Sequence, residues 1–437
     1  MPGVLYKKKS GGEQFPDWTK IGYAQCPDTT VDGWIEAYSI KQSWDPTKTS
    51  YAYEYENRYD LMYFPRNVDT SGITTIKGAF KHSNLEDIDI NVSGVTGDGL
   101  VEAFRNCKNL RRAFIGNDPT SGCTSYANMF QDCYALKYMD IDLDLPGDNN
   151  KVSSIDHLCS GCYSLTGSFL IAQSYDSGTK LEYCGNAFRD CYNIQELTIA
   201  SYHIKELQGN QYIGKDTADG CLMKITAGAL ANSDLIAEFQ GCKIKGGSEF
   251  TLSRMRPSAA NEMFKNAEFM AGSTDITIDP TMNNSLNAYN YFRNTKIHDN
   301  MNISGIHLGL KDIGNSQGMF SAITMDTGKQ TIDLSDCSWR NCANFEGMFA
   351  GSNVVTIEGL SHIDMSSATN MTNMFQNGLM DNDTINAILL LVTGATSYTG
   401  TKTLAQLGFT AANYPAATIQ SLSNYSAFTA AGWTIGY

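Results

Sequence analysis

The chain has 437 residues, 42% hydrophobic and 18% charged, a globular balance that excludes a disordered polymer. Its net charge of −14 repels phosphate backbones and anionic lipid, so neither nucleic-acid binding nor membrane-surface binding is expected. The longest apolar run, Ala387 to Val392, is far short of the roughly 20 residues of a membrane-spanning helix, so no membrane insertion is expected.

Residues 1–17 read as a mobile arm. Lys7 to Lys9 form a basic cluster, but Gly, Glu and Gln follow where the apolar part of a secretion signal would stand, which predicts synthesis in a cytoplasm with no general export signal. Residues 18–59 read as an N-terminal helix/strand cap. Asp28-Thr29-Thr30 can cap a helix on which Val31, Trp34, Ile35, Tyr38 and Trp44 recur near helical spacing, and Asp45-Pro46 ends it. Tyr51, Tyr53 and Tyr55 then alternate as in a strand.

From residue 60 to 380 one phrase returns. It reads GAFKHSNLEDIDI from Gly78, EAFRNCKNLRRAFI from Glu102, NMFQDCYALKYMDI from Asn128 and NAFRDCYNIQELTI from Asn186, with looser copies as far as NMFQNGLM from Asn373. The anchors are Phe80, Phe104, Phe130, Cys159, Phe188, Phe239, Phe264, Phe292, Phe320, Phe349 and Phe375, spaced 24, 26, 29, 29, 51, 25, 28, 28, 29 and 26 apart. The gap of 51 is about two periods and points to a degenerate unit near Tyr212-Ile213, giving about a dozen units. A period in the twenties belongs to solenoids. Each anchor is expected to point inward from a short helical or turn segment. Three positions later stands a small residue: Ser83, Cys107, Cys133, Cys162, Cys191, Cys242, Ala267, Thr295, Ser352 or Gly378. A strand follows with apolar residues at period 2, as in Leu85-Ile88-Ile90, Leu110-Ala113-Ile115, Leu136-Met139-Ile141 and Ile194-Leu197-Ile199. Stacked units would bury one core and build a ladder of parallel strands. Residues 381–437 read as a C-terminal helical cap, beginning with an apolar helix from Asp381 to Val392 and ending near Gly432-Trp433-Thr434-Ile435.

Motifs with chemical meaning are each better explained by the repeat. Cys159-Ser160-Gly161-Cys162 has redox or zinc spacing, but Cys159 falls in the anchor slot and Cys162 in the small-residue slot, where size is wanted rather than a thiolate. Gly314-Asn315-Ser316-Gln317-Gly318 has the pattern of a nucleophile elbow, yet it runs straight into the Met319-Phe320 anchor. Asp140, Asp142 and Asp144 open like a calcium loop, but Leu145 stands where the loop needs glycine, so they read as the solvent face of a strand. The six histidines show no ligand spacing. No catalytic, cofactor or metal residue is therefore assigned. The expected binding face is the outward row between inward pairs: Asp89, Phe114, Asp140, Phe169 and Thr198, continuing through Thr251, Thr277 and Asp333.

The units resemble the BspA-like leucine-rich repeat of bacterial surface and some bacteriophage proteins, in the phrases VDTSGITTIKGAFKHSNLEDI and IDMSSATNMTNMFQNG, and the tail SAFTAAGWTIGY is similar to the way many such proteins end. The resemblance covers residues 60 to 437 and implies an α/β repeat solenoid without enzymatic activity. The segment IGYAQCPDTTVDGWIEAYSIKQSW looks like the entry region of structural proteins of tailed, crAss-like phages. Together these imply a virion component contacting other virion proteins or a host surface protein or glycan, with oligomers within an assembly as one option. The alternative is an adhesion protein of the bacterial cell surface.

Overall fold

The computed structural model describes residues 45–437 apart from 63, 65–68, 117–121, 142–151, 173–180, 202, 229, 231–237, 256–260, 281–285, 300–305, 311–312, 336 and 340. The expected arm, the capping helix and Cys26 lie outside the described residues. The chain forms a parallel-strand β-solenoid with few helices, divided into two units. Unit 1 is Met1–Ile204 with Tyr212–Thr217, and unit 2 is Lys205–Gln211 with Ala218–Tyr437.

In unit 1, β1 (Asp87–Asn91), β2 (Arg112–Gly116) and β3 (Tyr138–Ile141) pair in parallel, and β4 (Gly167–Ala172) pairs with β5 (Ile194–Ser201). Unit 2 carries two strand rows. The longer-stranded one contains β6 (Leu222–Ala227), β8 (Glu249–Met255), β10 (Thr274–Pro280) and β13 (Ile306–Leu310). The other holds two-residue strands: β7 (Lys243–Ile244), β9 (Glu268–Phe269), β12 (Lys296–Ile297) and β15 (Thr324–Met325). Two further pairs are described in the unit, β11 (Leu286–Asn287) with β14 (Ile313–Asn315) and β16 (Thr331–Asp333) with β17 (Thr356–Glu358). Burial alternates along the strands, as period-2 patterning requires: Ile88 and Ile90 are buried, Asp89 is not.

The anchors sit in a repeated turn rather than a helix. Around Phe80, the N–H groups of Gly78, Phe80 and His82 donate to Val101, Ala103 and Arg105 of the next coil, while those of Ala79, Lys81 and Ser83 donate back to Ile76, Gly78 and Phe80. Inter-coil and local bonds alternate, so every backbone donor of the segment is used. The geometry needs a left-handed residue two positions before and two after the anchor. Gly78 and His82, Asn128 and Asp132, Asn290 and Asn294, and Asn373 and Asn377 all have φ between 53° and 63°. Asn, Asp and Gly bear that conformation at least cost, which explains their recurrence in these slots. Five residues before an anchor, a small polar side chain opens the turn: Ser125 Oγ accepts from Ala127 N–H at 3.1 Å, and Asn344 Oδ1 and Asn370 Oδ1 do the same for Glu346 and Thr372 at 3.1 Å.

Tyr51, Tyr53 and Tyr55 are not a strand. Tyr55 occupies an anchor slot, with Tyr53 (φ 57°) and Asn57 (φ 61°) as the left-handed pair and N–H groups of all three donating to Lys77, Ala79 and Lys81. Its ring heads an aromatic column: Tyr55, Phe80, Phe104 and Phe130 stack with centroids 5.3 Å apart at each step. In unit 2, Phe239, Phe264, Phe292, Phe320, Phe349 and Phe375 stack at 5.2 to 5.8 Å. Offset-stacked rings add about 0.5–1.5 kcal/mol per pair beyond the area they bury.

The small-residue slot has a second duty. Cys107 Sγ donates to Phe80 O at 2.9 Å, Cys133 to Phe104 O at 3.0 Å and Cys162 to Phe130 O at 3.1 Å, while Thr295 Oγ1 donates to Phe264 O at 3.0 Å. The carbonyls of Phe80, Phe104, Phe130 and Phe264 thus each accept one local N–H and one side-chain donor from the next coil, filling both lone pairs in a dry interior. Size was legible in the sequence; the donor was not.

The helix from Asp381 is present as α1 (Asn382–Thr393). Asp381 Oδ1 accepts from Thr384 N–H at 2.7 Å as its N-cap, and Ile385, Ile388, Leu389 and Val392 turn to the core. Short helices α2 (Ala416–Gln420) and α3 (Tyr425–Ala430) follow, and buried Trp433 stacks between Tyr398 at 5.8 Å and Phe428 at 5.9 Å.

Phe104→Ala, which opens a gap between two stacked rings, should lower unfolding free energy by about 3–5 kcal/mol. Cys133→Val, which keeps volume but removes the second donor to the Phe104 carbonyl, should cost about 1–3 kcal/mol while Cys133→Ser costs less. Urea unfolding followed by circular dichroism measures both; a loss for valine no greater than for serine would discard the donor role.

Candidate binding surface

The outward row of unit 1 is set by strand register. Asp89 pairs with Phe114 and Phe114 with Asp140, placing an aromatic ring between two carboxylates. Phe114 is 37% exposed and Asp140 is exposed, as their alternation with buried Ala113, Ile115, Met139 and Ile141 requires. Two residues earlier lies a second row, Asp87, Arg112 and Tyr138, in which Arg112 Nε is ion-paired with Asp87. Asp142 and Asp144 lie outside the described residues.

Phe169 breaks the expected row. It is 4% exposed, and its ring packs on Phe188 with centroids 5.7 Å apart. Between Leu165 and Phe169 stands one residue more than between Leu85 and Ile88, and the pairing of β4 with β5 shifts register between Gly167 and Ser168. A single extra residue reverses strand parity, so Phe169 and Ile171 face inward and Leu170 takes the outward place beside Thr198. Thr198 is half-buried, whereas Thr251 and Thr277 of unit 2 are exposed on β8 and β10.

The motifs with catalytic spacing are absorbed by the core. All eleven described cysteines are buried and free, Cys159 and Cys162 among them. Burial pushes the Cys107 thiol up to about 12 and raises Cys133 and Cys159 well above the usual thiol range, which keeps them as neutral donors. Ser316 is buried, and its hydroxyl donates to Asn344 O at 3.3 Å. His298 bridges two coils, with Nε2 2.8 Å from Glu268 Oε1 and Nδ1 3.1 Å from Asp326 Oδ2. These carboxylates lie on opposite sides of the ring and do not converge. Among the described residues no group of three or more His, Cys, Asp or Glu side chains is arranged to hold a metal ion, and no helix is long and apolar enough to cross a membrane.

Sequence reasoning missed two features. The first is a half-exposed tyrosine column on unit 1, Tyr134, Tyr163 and Tyr192, with centroids 5.1 and 5.2 Å apart. These residues stand four positions after successive anchors, a period visible in CYAL, CYSL and CYNI. The second is a buried acid. Glu238 stands one position before an anchor, where Ala79, Ala103, Met129, Met263, Met319 and Met348 fill the core elsewhere. Asn210 Nδ2 donates to Glu238 Oε1 at 2.9 Å, Glu238 Oε2 has no hydrogen-bond partner, and Cys242 Sγ donates to Asn210 O at 3.5 Å. Asn210 therefore fills the anchor slot of the degenerate unit, two residues before the position expected.

Burial pushes Glu238 up to about 8, against the lowering pull of the Asn210 amide. Its folded value lies above the unfolded value of 4.5, so between these two pH values the folded state keeps a proton that the unfolded state has lost. Stability from this group is whole below about pH 4.5 and is lost as pH rises to about 8, a change on the order of 5 kcal/mol at most. Glu238→Gln should flatten that decline and raise the urea midpoint at pH 8; equal midpoints for the two proteins at pH 8 would show that Glu238 is solvated.

No protein-family profile, no curated protein and no solved structure matches the chain.

Proposed function

We propose that the protein is a non-enzymatic structural and binding component of a bacteriophage particle, built on BspA-like leucine-rich repeats and capped at both ends. The observation that carries the binding reading is the ordered outward row Asp89–Phe114–Asp140, an aromatic group held in register on a rigid strand ladder. Rigid elements hold a recognition surface at low entropic cost. The described thiols are all buried, and Cys107, Cys133, Cys162 and Ser316 are spent inside the coils as hydrogen-bond donors, which favours a scaffold over a catalyst. The virion assignment is supported by the likeness of residues 21–44 to phage entry segments, and partners would be neighbouring virion proteins or a host surface protein or glycan. The repeat phrase itself also favours a second reading, an adhesion protein of the bacterial cell surface.

Mass spectrometry of purified particles should detect the chain at a fixed copy number, and Phe114→Ala should leave unfolding unchanged while weakening its incorporation or adsorption. Absence from particles, with labelling on intact bacterial cells instead, would replace the first reading by the second.

A further inference from the structure

The tyrosine column of unit 1 is bounded by cations. Lys108 Nζ lies 5.6 Å from the Tyr134 ring centroid, and Lys215 Nζ lies 5.2 Å from that of Tyr192 and 5.6 Å from that of Tyr212. Three residues beyond Lys108 and Tyr134 in their own coils stand Arg111 and Lys137, both exposed and joined through Lys137 N–H to Arg111 O at 2.9 Å. Lys137 Nζ rests 5.2 Å from the Tyr138 ring centroid. Among the described residues none of these four cations is ion-paired. Elsewhere Lys77, Lys81, Lys224, Lys265, Lys296 and Lys329 each hold a carboxylate within 3.1 Å. Asp132, Asp190 and Asp216 lie near the phenols, yet on a chain of net charge −14 four cations free of ion pairs along one flank are complementary to an anion.

The geometry selects among anionic polymers. Tyr163, 39% exposed, is stacked on both faces, and Tyr134 and Tyr192 carry Lys108 and Lys215 in addition to Tyr163, so bases find little open ring face to stack on and a single nucleic-acid strand is disfavoured. Backbone hydrogen bonds run from coil to coil, so this flank offers no strand edge to an acidic peptide. An extended peptide also advances about 3.3 Å per residue, out of step with rings 5.1 and 5.2 Å apart. What the flank offers is a row of phenol hydroxyls, of which that of Tyr192 donates to Asp190 Oδ1 at 3.4 Å, beside ammonium and guanidinium groups that hold no carboxylate among the described residues. A pyranose unit, longer than a peptide residue and rich in hydroxyls, comes closer to one unit per coil. We infer that this edge binds an acidic polysaccharide lengthwise, its carboxylates or sulfates on Lys108, Arg111, Lys137 and Lys215 and its hydroxyls on the tyrosine row. The inference rests on the reading of the protein as a binding component and names its partner.

The full chain would be titrated by calorimetry with polygalacturonate, neutral dextran, polyglutamate and oligo(dT). Polygalacturonate should bind in a salt-sensitive manner and dextran should not. Lys108→Glu combined with Lys215→Glu, both at exposed sites, should weaken binding about tenfold or more with an unchanged circular dichroism spectrum. Tyr163→Phe, which removes one hydroxyl and keeps the stack, should weaken it less. No binding of polygalacturonate, equal binding by the double variant, or tighter binding of polyglutamate or oligo(dT) would overturn the inference. A chain found in particles that ignores polygalacturonate would keep the proposed function and lose only this partner.

Discussion

The structure depends on how one short segment of each coil disposes of its backbone. At the anchor, alternate N–H groups serve the next coil and the local turn, so the segment is half ladder and half turn. A helix would satisfy the same groups internally and leave nothing to hold neighbouring coils together; a strand would leave no room for the tight corner. The mixed solution costs two left-handed residues per coil, and the chain meets it with Asn, Asp and Gly, or tolerates His82, Glu102 and Glu262 there. Because the inter-coil bonds fix the coils at one spacing, the anchor rings have no choice but to stack.

The same constraint explains the cysteines. An anchor carbonyl lies in a dry interior with one lone pair unserved by the backbone. Where a side chain serves it, as Cys107, Cys133 and Cys162 do, that side chain is small, donates, and tolerates an apolar surround. A thiol meets all three conditions, and Thr295 shows that a hydroxyl does as well. Cysteine is thus used here for a weak donor bond and compact volume, and its elevated proton affinity follows from burial rather than from any poised chemistry. Function is pushed outward as a result. Under the proposed binding role, the groups available for recognition are those that the ladder aligns on the outside: the Asp89–Phe114–Asp140 row and the tyrosine column with its flanking cations.

The Asn210–Glu238 pair shows the cost of interrupting this pattern. Where an aromatic ring and a methionine would sit, an amide and a carboxyl meet, and only one carboxyl oxygen finds a donor. Burying such a pair is expensive unless the acid keeps its proton. Stability in unit 2 is therefore tied to pH at one coil, while the other described anchors stand in apolar columns.

The solenoid was legible in the sequence because stacking demands repetition: Phe104, Phe130 and Phe188 recur at a near-constant period, and the triplets around Ile88, Ala113, Met139 and Leu197 keep strand parity. Parity failed at Phe169 because one added residue changes the face of a strand without changing its composition. Tyr55 was misplaced since an alternating aromatic segment has the same pattern whether it forms a strand or a turn with left-handed residues at Tyr53 and Asn57. The sequence by itself determined the repeat, the inward anchors, the small-residue slot and the helix after Asp381, each a matter of local periodicity or capping. The tertiary structure alone decided which thiol meets which carbonyl, that Asn210 faces Glu238, and that Lys108 and Lys215 flank a tyrosine column. Those pairings join residues some 25 to 32 positions apart in many cases, and only the register between coils brings them together.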